Sequence, residues 1–435
     1  MSTTAVSSSG ATTPSGRTRP RLALRLWRRL LSVGGDEVAE LRGWERMIRW
    51  RGHASTYEKR RAVIAAVKLP LRAVREAIAD VRAFGDEVTA ATGSSRRRQL
   101  VQLWWLKVRY GITGRSYVTF QLYRDERRRQ SGWYIQEMEF VRVGRYLTAN
   151  IWTETQRTFW GRRRFESLCR EHAIPTVTTL MEFRDGRVSE TALDEGVLPP
   201  RDLFSKPTES TRGEGAARWL YDGQGGYVGR DGRTRTAAEL LAELAELSTQ
   251  PGPKSDSARS VLLKECIRNH RDLLPLTPGG LCTVRVQTYR FPDQAPQFLL
   301  AVYKMPADDS PADNFHFGGV AAPVDGETGR LGPAVFKVGQ LLTTVTHHPT
   351  TGARIEGHQL PWWREAVALA LRAHAVLPPI GVVGWDVALL DDGPVIIEGN
   401  SIPSAELAQE ASGVPLGATP LIACLNAYLR RHMLA

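Results

Sequence analysis

Apolar residues in the first 170 or so positions recur mostly at three- and four-residue spacing; further on they gather into short β-branched runs. The first pattern predicts helices and the second strands. Asp36 to Val88 reads as two or three helices, with Pro70 dividing Arg61–Leu69 from Leu71–Phe84 because proline cannot continue a helix interior. Thr92 to Arg98 reads as a linker carrying a positive run. Leu100 to Tyr110 reads as a further helix in which Trp104 and Trp105 pack. Ser116 to Tyr146 is aromatic-rich and fits neither period. Phe165 to His172 is again helical, and Pro175 follows its end.

Strands follow. Val177–Phe183 precedes an Asp185-Gly186 turn, and Asp202–Ser205 is a short strand with Lys206 at its end. Tyr221 to Thr234 is glycine-rich and predicts a hairpin or exposed loop. Ala237–Leu247 is a helix, and Pro251–Ser257 reads as a flexible linker. Val261–Ile267, Cys282–Tyr289, Gln297–Tyr303 and Val320–Val324 are strands, and Trp362–Ala375 is a helix. On the second of these strands, Thr283, Arg285 and Gln287 share a face, since side chains alternate along a strand.

The stretch Gly384 to Asn400 predicts a hairpin. Trp385–Leu390 and Val395–Ile397 flank the turn signal Asp391-Asp392-Gly393. A three-residue loop with Gly393 left-handed would place Asp386 opposite Glu398, with Asn400 on the same face. Facing carboxylates repel unless a cation or proton lies between them. Two carboxylates and an amide oxygen form an all-oxygen set that suits Mg²⁺. The plain alternative is a surface hairpin with two unrelated acids.

Composition narrows the picture. The 435 residues are 42% hydrophobic and 24% charged, an ordinary globular balance with room for two or three domains. Four cysteines without a C-x-x-C pair argue against a zinc site or disulfide framework and for reduced thiols in a cytoplasmic setting. No apolar run reaches the length of a membrane span. Residues 1–100 hold 20 Lys and Arg against 9 Asp and Glu, so they carry nearly all of the net charge of +12. Residues 1–20 read as a disordered basic terminus. Arg17 to Val33 could form a short basic amphipathic helix that touches an anionic membrane at its inner face; the plainer reading is an extension packed on its own domain. The Arg96–Arg98 run lacks the accompanying features of a nucleic-acid site, so no specific nucleic-acid partner is expected.

Lys206-Pro207 is followed by a small-residue loop, Thr208 to Gly215. A Lys at a strand end with glycine-rich backbone can surround phosphates, although this is not a Walker A pattern. Further along come Leu263-Lys264-Glu265-Cys266-Ile267 with His270, and Thr283-Val284-Arg285. Asp313-Asn314-Phe315 with Gly318-Gly319 and His348-Pro349-Thr350-Thr351-Gly352 follow, and Gly384-Trp385-Asp386 and Glu398-Gly399-Asn400 end the series. In this order the motifs resemble the ATP-grasp superfamily, and its sugar-transfer-associated branch in particular, over roughly residues 145–420. The Asn-Phe-His-x-Gly-Gly segment is also similar to a loop of ribosomal-protein glutamate ligases.

The resemblance implies an α+β ATP-grasp fold, two α+β subdomains around a nucleotide cleft, here with a basic helical N-terminal extension. The division it suggests is a helical region at 21–111, a connecting region at 112–175, a lid subdomain at 176–260 and a C-terminal subdomain at 261–435. It implies that Lys206 binds ATP phosphates, that Ser210, Gly213 and Gly215 belong to a loop closing over them, and that Lys264, Glu265, Cys266 and Ile267 read adenine. Asp386, Glu398 and Asn400 would hold one or two Mg²⁺ ions. Arg285 and Lys304 would face the transferred phosphate, with Asn314 beside the phosphate or substrate. The family's further nucleotide-binding Lys is replaced here by Arg162-Arg163-Arg164, which leaves Arg163 as a candidate.

The implied activity is ligation of a small-molecule carboxylate to an amine through an acyl-phosphate, in natural-product or cell-envelope polysaccharide biosynthesis. Such chemistry needs positioning and charge stabilisation rather than a nucleophilic side chain, and Cys266 reads as a core residue. The alternatives are a phosphotransferase on the same site and a non-catalytic anionic-surface binder. The sequence leaves the substrates and oligomeric state open.

Overall fold

A computed structural model describes residues 36–52, 69–160, 162–193, 197–207, 215–252, 255–258, 260–308, 315 and 318–434. The basic segment at 17–33 and the expected disordered terminus lie outside these residues. The architecture is α+β: a helical N-terminal region followed by two seven-stranded antiparallel sheets.

The helical region comprises α1 (Asp36–Gly52), α2 (Leu69–Thr92), α3 (Arg96–Tyr110), α4 (Gly114–Thr119), α5 (Asp125–Arg129), α6 (Glu137–Asn150), α7 (Thr153–Trp160) and α8 (Arg162–Glu171). Helix α2 begins one residue before Pro70, where a missing N–H costs little. The expected linker at 92–98 shrinks to three residues. Ser95 caps α3 by accepting from the Arg98 N–H, so Arg96–Arg98 form its first turn. Trp104 and Trp105, expected to pack, are 38% and 44% exposed. The ambiguous stretch 116–146 is helical, interrupted by tight turns.

The first sheet has the order β2-β1-β9-β3-β4-β5-β6. Its strands are β1 (Thr179–Arg184), β2 (Arg187–Thr191), β3 (Leu203–Pro207), β4 (Ala217–Tyr221), β5 (Gly226–Val228), β6 (Thr234–Thr236) and β9 (Val261–Glu265). Asp185 and Gly186 both take positive φ in a two-residue turn, with Arg184 paired to Arg187. Helix α9 (Ala237–Leu247) starts with a Thr236–Glu239 capping box and buries Leu240 and Leu244 in this sheet's core. The expected linker at 251–257 instead contains the small hairpin β7 (Pro251–Gly252) and β8 (Ser255–Ala258).

The second sheet has the order β14-β13-β12-β11-β10-β15-β16. It consists of β10 (Thr283–Tyr289), β11 (Gln297–Met305), β12 (Val320–Val324), β13 (Ala334–Val338), β14 (Leu341–Val345), β15 (Val382–Leu390) and β16 (Gly393–Asn400). Val284 and Val286, Tyr303, Trp385 and Val387 project into the main core. Helix α10 (Trp363–Val376) and the C-terminal α12 (Pro420–Leu434) supply residues to the same core, as do α1 and α6. The helical region and this sheet are therefore packed as one body. On the opposite face, α11 (Ala405–Ser412) lays Leu407 and Ala411 against Val302 and Ala321.

The β15–β16 loop has two residues, not three: Leu390 pairs with Gly393. A bulge opposite the Asp386–Val387 step then inserts one extra residue into β16. The two departures cancel, and Asp386 pairs with Glu398 and Gly384 with Asn400.

Candidate functional site

The site starts on β15. This strand is buried on both faces, yet Asp386 lies in its middle. A lone buried carboxylate would be costly, so it must be paired. Arg285, its partner across the β10–β15 ladder, donates Nε to Oδ1 at 2.6 Å and Nη2 to Oδ2 at 2.8 Å. Lys304 Nζ lies 3.2 Å from Oδ1. Burial pushes the Asp386 carboxyl up in pKa, but Arg285 and Lys304 outweigh it and hold it well below the usual range. Gly384 permits this arrangement, since a Cβ there would lie 2.7 Å from Pro403 Cβ and 3.1 Å from Arg285 Cδ.

A cleft of about 800 Å³ lies between the sheets, alongside β16. This falls in the size range of small-molecule and cofactor pockets. Among its walls are Lys206, Glu398 and Asn400, together with the strand end Lys264, Glu265, Cys266 and Ile267. Lys206 reaches from β3 across the gap, and its Nζ is 3.7 Å from Glu398 Oε2. Asn400 Nδ2 lies 3.5 Å from Glu398 Oε1, which turns its amide oxygen away from that carboxylate. The sheets are tied beside the cleft: the Ile396 N–H donates to Pro175 O at 3.0 Å, and Thr176 Oγ1 donates to Ile396 O at 2.9 Å.

At the other wall, Lys264 Nζ donates to Glu166 Oε1 at 2.9 Å and to Val177 O at 3.2 Å. Thr179 Oγ1 donates to the same carboxylate at 2.6 Å. Burial raises the Glu166 pKa, but Lys264 and Thr179 overcome this and leave it lowered. Glu166 thus aims Lys264 along the cleft wall. Cys266, expected in the core, is half-buried and lines the cleft, and burial raises its thiol pKa. Its N–H donates to Asp202 O at 3.0 Å.

The expected residues therefore fall into separate groups. Lys206, the 264–267 strand end, Glu398 and Asn400 meet at the cleft. Arg285, Lys304 and Asp386 form a buried cluster beside it and are absent from its lining. Gly215 is exposed, with φ of 73°, just before β4. Ser210, Gly213 and Asn314 lie outside the described residues, as does the side chain of Arg163, whose backbone is in α8. His348, in the adjacent-histidine pair, is buried and bonded through Nε2 to Pro306 O at 3.0 Å, a structural role.

Sequence reasoning passed over Arg145 and Thr148 on α6, Gln156 and Phe159 on α7, and Arg218 on β4, all in the cleft wall. Helical periodicity reveals which residues share a face, but not which face meets a sheet. Two glycines hold these helices close. A Cβ on Gly144 would lie 2.9 Å from Ile402, and one on Gly399 would lie 2.4 Å from Phe159. Arg145 is exposed and makes no hydrogen bond or ion pair among the described residues.

The cleft thus lies between two antiparallel sheets, with Lys206 on one wall and Glu398 and Asn400 on the other. The model of the sugar-transfer associated ATP-grasp family matches residues 154–419, well over half the chain. The chain belongs to that family. Members of the ATP-grasp superfamily are ATP-dependent ligases, and the fold described here is the ATP-grasp fold. Solved structures are similar at low identity. D-alanine–D-alanine ligase from Bacillus anthracis, complexed with ATP, is 12% identical over 65% of this chain and 69% of its own, with a TM-score of 0.33. D-alanyl-alanine synthetase A from Vibrio cholerae is 11% identical over 63% and 67%, with a TM-score of 0.36. Carboxyaminoimidazole ribonucleotide synthase from Aspergillus clavatus, complexed with ATP, is 12% identical over 60% and 53%, with a TM-score of 0.29. No curated protein matches the sequence. The ATP-grasp match starts at Glu154, so Arg145 and Thr148 enter the cleft from outside it. Among the described residues, no helix is long and apolar enough to cross a membrane.

Proposed function

We propose that this ATP-grasp protein joins a small-molecule carboxylate to an amine, using ATP and Mg²⁺, in natural-product or cell-envelope polysaccharide assembly. The observation that carries this reading is the meeting of Lys206, Glu398, Asn400 and the Lys264–Ile267 strand end around one cleft. In this reading the first sheet is the lid subdomain, and the second is the body that holds the reacting groups.

Glu398 places hard oxygen donors on one wall, as Mg²⁺ requires, and a rotation of the Asn400 amide, whose nitrogen now faces that carboxylate, would add its oxygen. Asp386 is committed to two cations, and Lys206 adds a third positive charge nearby. Three cations against two carboxylates disfavour a bare Mg²⁺ and favour one accompanied by a triphosphate. The residues fit the metal–nucleotide pair: Glu398 and Asn400 would hold the ion, and Asp386 would be available to it only if Arg285 and Lys304 released it to meet phosphate. Bound there, Mg²⁺ supplies charge neutralisation for phosphoryl transfer.

Residues 264–267 would hold the adenine, and Lys206 would meet the phosphates. The substrate carboxylate oxygen attacks the γ-phosphorus, ADP leaves, and an acyl-phosphate forms. The amine then attacks the acyl carbon, phosphate leaves, and one proton is lost from nitrogen. Arg285 and Lys304 stabilise the charge that builds on the transferred group.

The test combines purified protein, ATP·Mg²⁺ and pooled carboxylates and amines. ADP should accumulate over many turnovers only when both substrate classes are present, together with an amide product. Glu398→Gln should weaken ATP·Mg²⁺ binding by about tenfold or more. Absence of ADP release with every pool, coupled with unaltered nucleotide binding by the variant, would refute the reading. A stable phosphorylated product instead of an amide would assign a phosphotransferase.

A further inference from the structure

We propose that the outward face of α3, with the start of α2, is a docking surface for an anionic lipid bilayer. A surface helix normally turns its polar side to water. Helix α3 buries Gln99, Leu103, Leu106 and Lys107 and presents Arg97, Val101, Trp104 and Trp105 outward, spaced along one helical stripe. Val101 is 64% exposed, and the neighbouring Leu71 is 76% exposed. The Trp104 indole N–H donates to Pro70 O at 3.3 Å, which brings Leu71 beside the tryptophans.

Charge selects the partner. Helix α3 carries Arg96, Arg97, Arg98, Lys107 and Arg109 and no acidic residue. Arg96 pairs with Asp86, Arg98 with Asp125 and Lys107 with Asp80. Arg97 and Arg109 make no ion pair among the described residues. Three arginines in the first turn also oppose the helix dipole, a cost that a nearby anionic plane offsets. The surface is a convex helix face that mixes tryptophan, aliphatic side chains and arginine. A bilayer interface accommodates all of these: apolar groups enter the acyl boundary, and guanidinium groups stay with lipid phosphates. A nucleic-acid backbone would leave Leu71 and Val101 in water. This surface is separate from the ligase reading and does not depend on it.

The test is cosedimentation of the full-length protein with vesicles of phosphatidylcholine alone, or with added phosphatidylglycerol. Binding should require the anionic lipid and weaken as salt is raised. Trp104→Ser with Trp105→Ser should reduce affinity at least tenfold, and Arg97→Ala about fivefold, the effect of one basic residue near such a surface. An unchanged urea midpoint for each variant verifies its fold. The proposal fails if the parent protein does not bind anionic vesicles, or if the tryptophan variant binds as well as the parent. It also fails if the face proves to join two copies, with the tryptophan variant turning a dimer into a monomer and vesicle binding absent.

Discussion

Replacing Asp386 by Asn tests the buried cluster most directly. The carboxylate is 8% exposed and accepts three contacts of 3.2 Å or less from Arg285 and Lys304. Removing one member of such a group leaves the remaining charges buried and uncompensated, at about 3–5 kcal/mol. Asparagine retains one carbonyl acceptor, so the lower end, about 3 kcal/mol, is expected. That is a large fraction of a typical folding free energy of about 5–15 kcal/mol. The pH dependence gives a second signature. Because the folded pKa of Asp386 is depressed, its stabilising contribution is complete above the ordinary aspartate range and disappears as pH falls toward the folded value. The gap between parent and variant should therefore be full at pH 7 and narrower by about 1 kcal/mol at pH 3. Urea unfolding followed by tryptophan fluorescence would measure both values. A variant within 1 kcal/mol of the parent at pH 7, or a gap that ignores pH, would refute the argument.

Two further substitutions probe the walls of the same body. Burial pushes the Glu410 carboxyl on α11 up to about 7, with Glu406 adding to the rise and Lys337, 3.3 Å away, opposing it. A raised acid costs stability as pH climbs from its unfolded value through the folded one, so Glu410→Gln should stabilise by about 1–3 kcal/mol at pH 8 and by little at pH 5, read from urea midpoints. Gly399→Ala would drive a Cβ to 2.4 Å from Phe159 and 2.9 Å from Trp385, for about 1–3 kcal/mol of overpacking in a melting experiment; adding Phe159→Leu should recover part of that loss.

The sheet-forming half of the chain was more legible than the helical half. Strands such as Thr283–Tyr289 announced themselves through local β-branched composition, and α9 through its run of alanine, leucine and glutamate. The pairing of Asp386 with Glu398 was anticipated by a hairpin one residue longer in its loop and lacking the bulge. Local turn chemistry does not encode a bulge, which answers to the packing of the strand beyond it. The sequence order also brought Lys206 and Glu398 into one scheme, although they lie on different sheets. What remained hidden depends on how elements dock. Nothing local marks Arg145 as a cleft residue, and the aromatic pair Trp104–Trp105 looks like core in any window of sequence. From sequence, Asp386 could be a metal ligand or one of two unrelated acids on a surface hairpin. The burial of β15 removes the second reading and demands the pairing with Arg285 and Lys304.

The tie between Ile396 and the Pro175–Thr176 segment has a mechanical meaning. Strand β16 belongs to the second sheet, yet it is bonded to the chain that enters the first. A rotation of one sheet against the other that kept these bonds would pivot near this point. Displacement would be smallest there and would grow with distance, so Glu398 and Asn400, two and four residues along, would stay close to the axis. Because both sit on β16, such a rotation would leave the spacing of these oxygen donors unchanged. Sliding of the sheets past each other would have to break both hydrogen bonds at once.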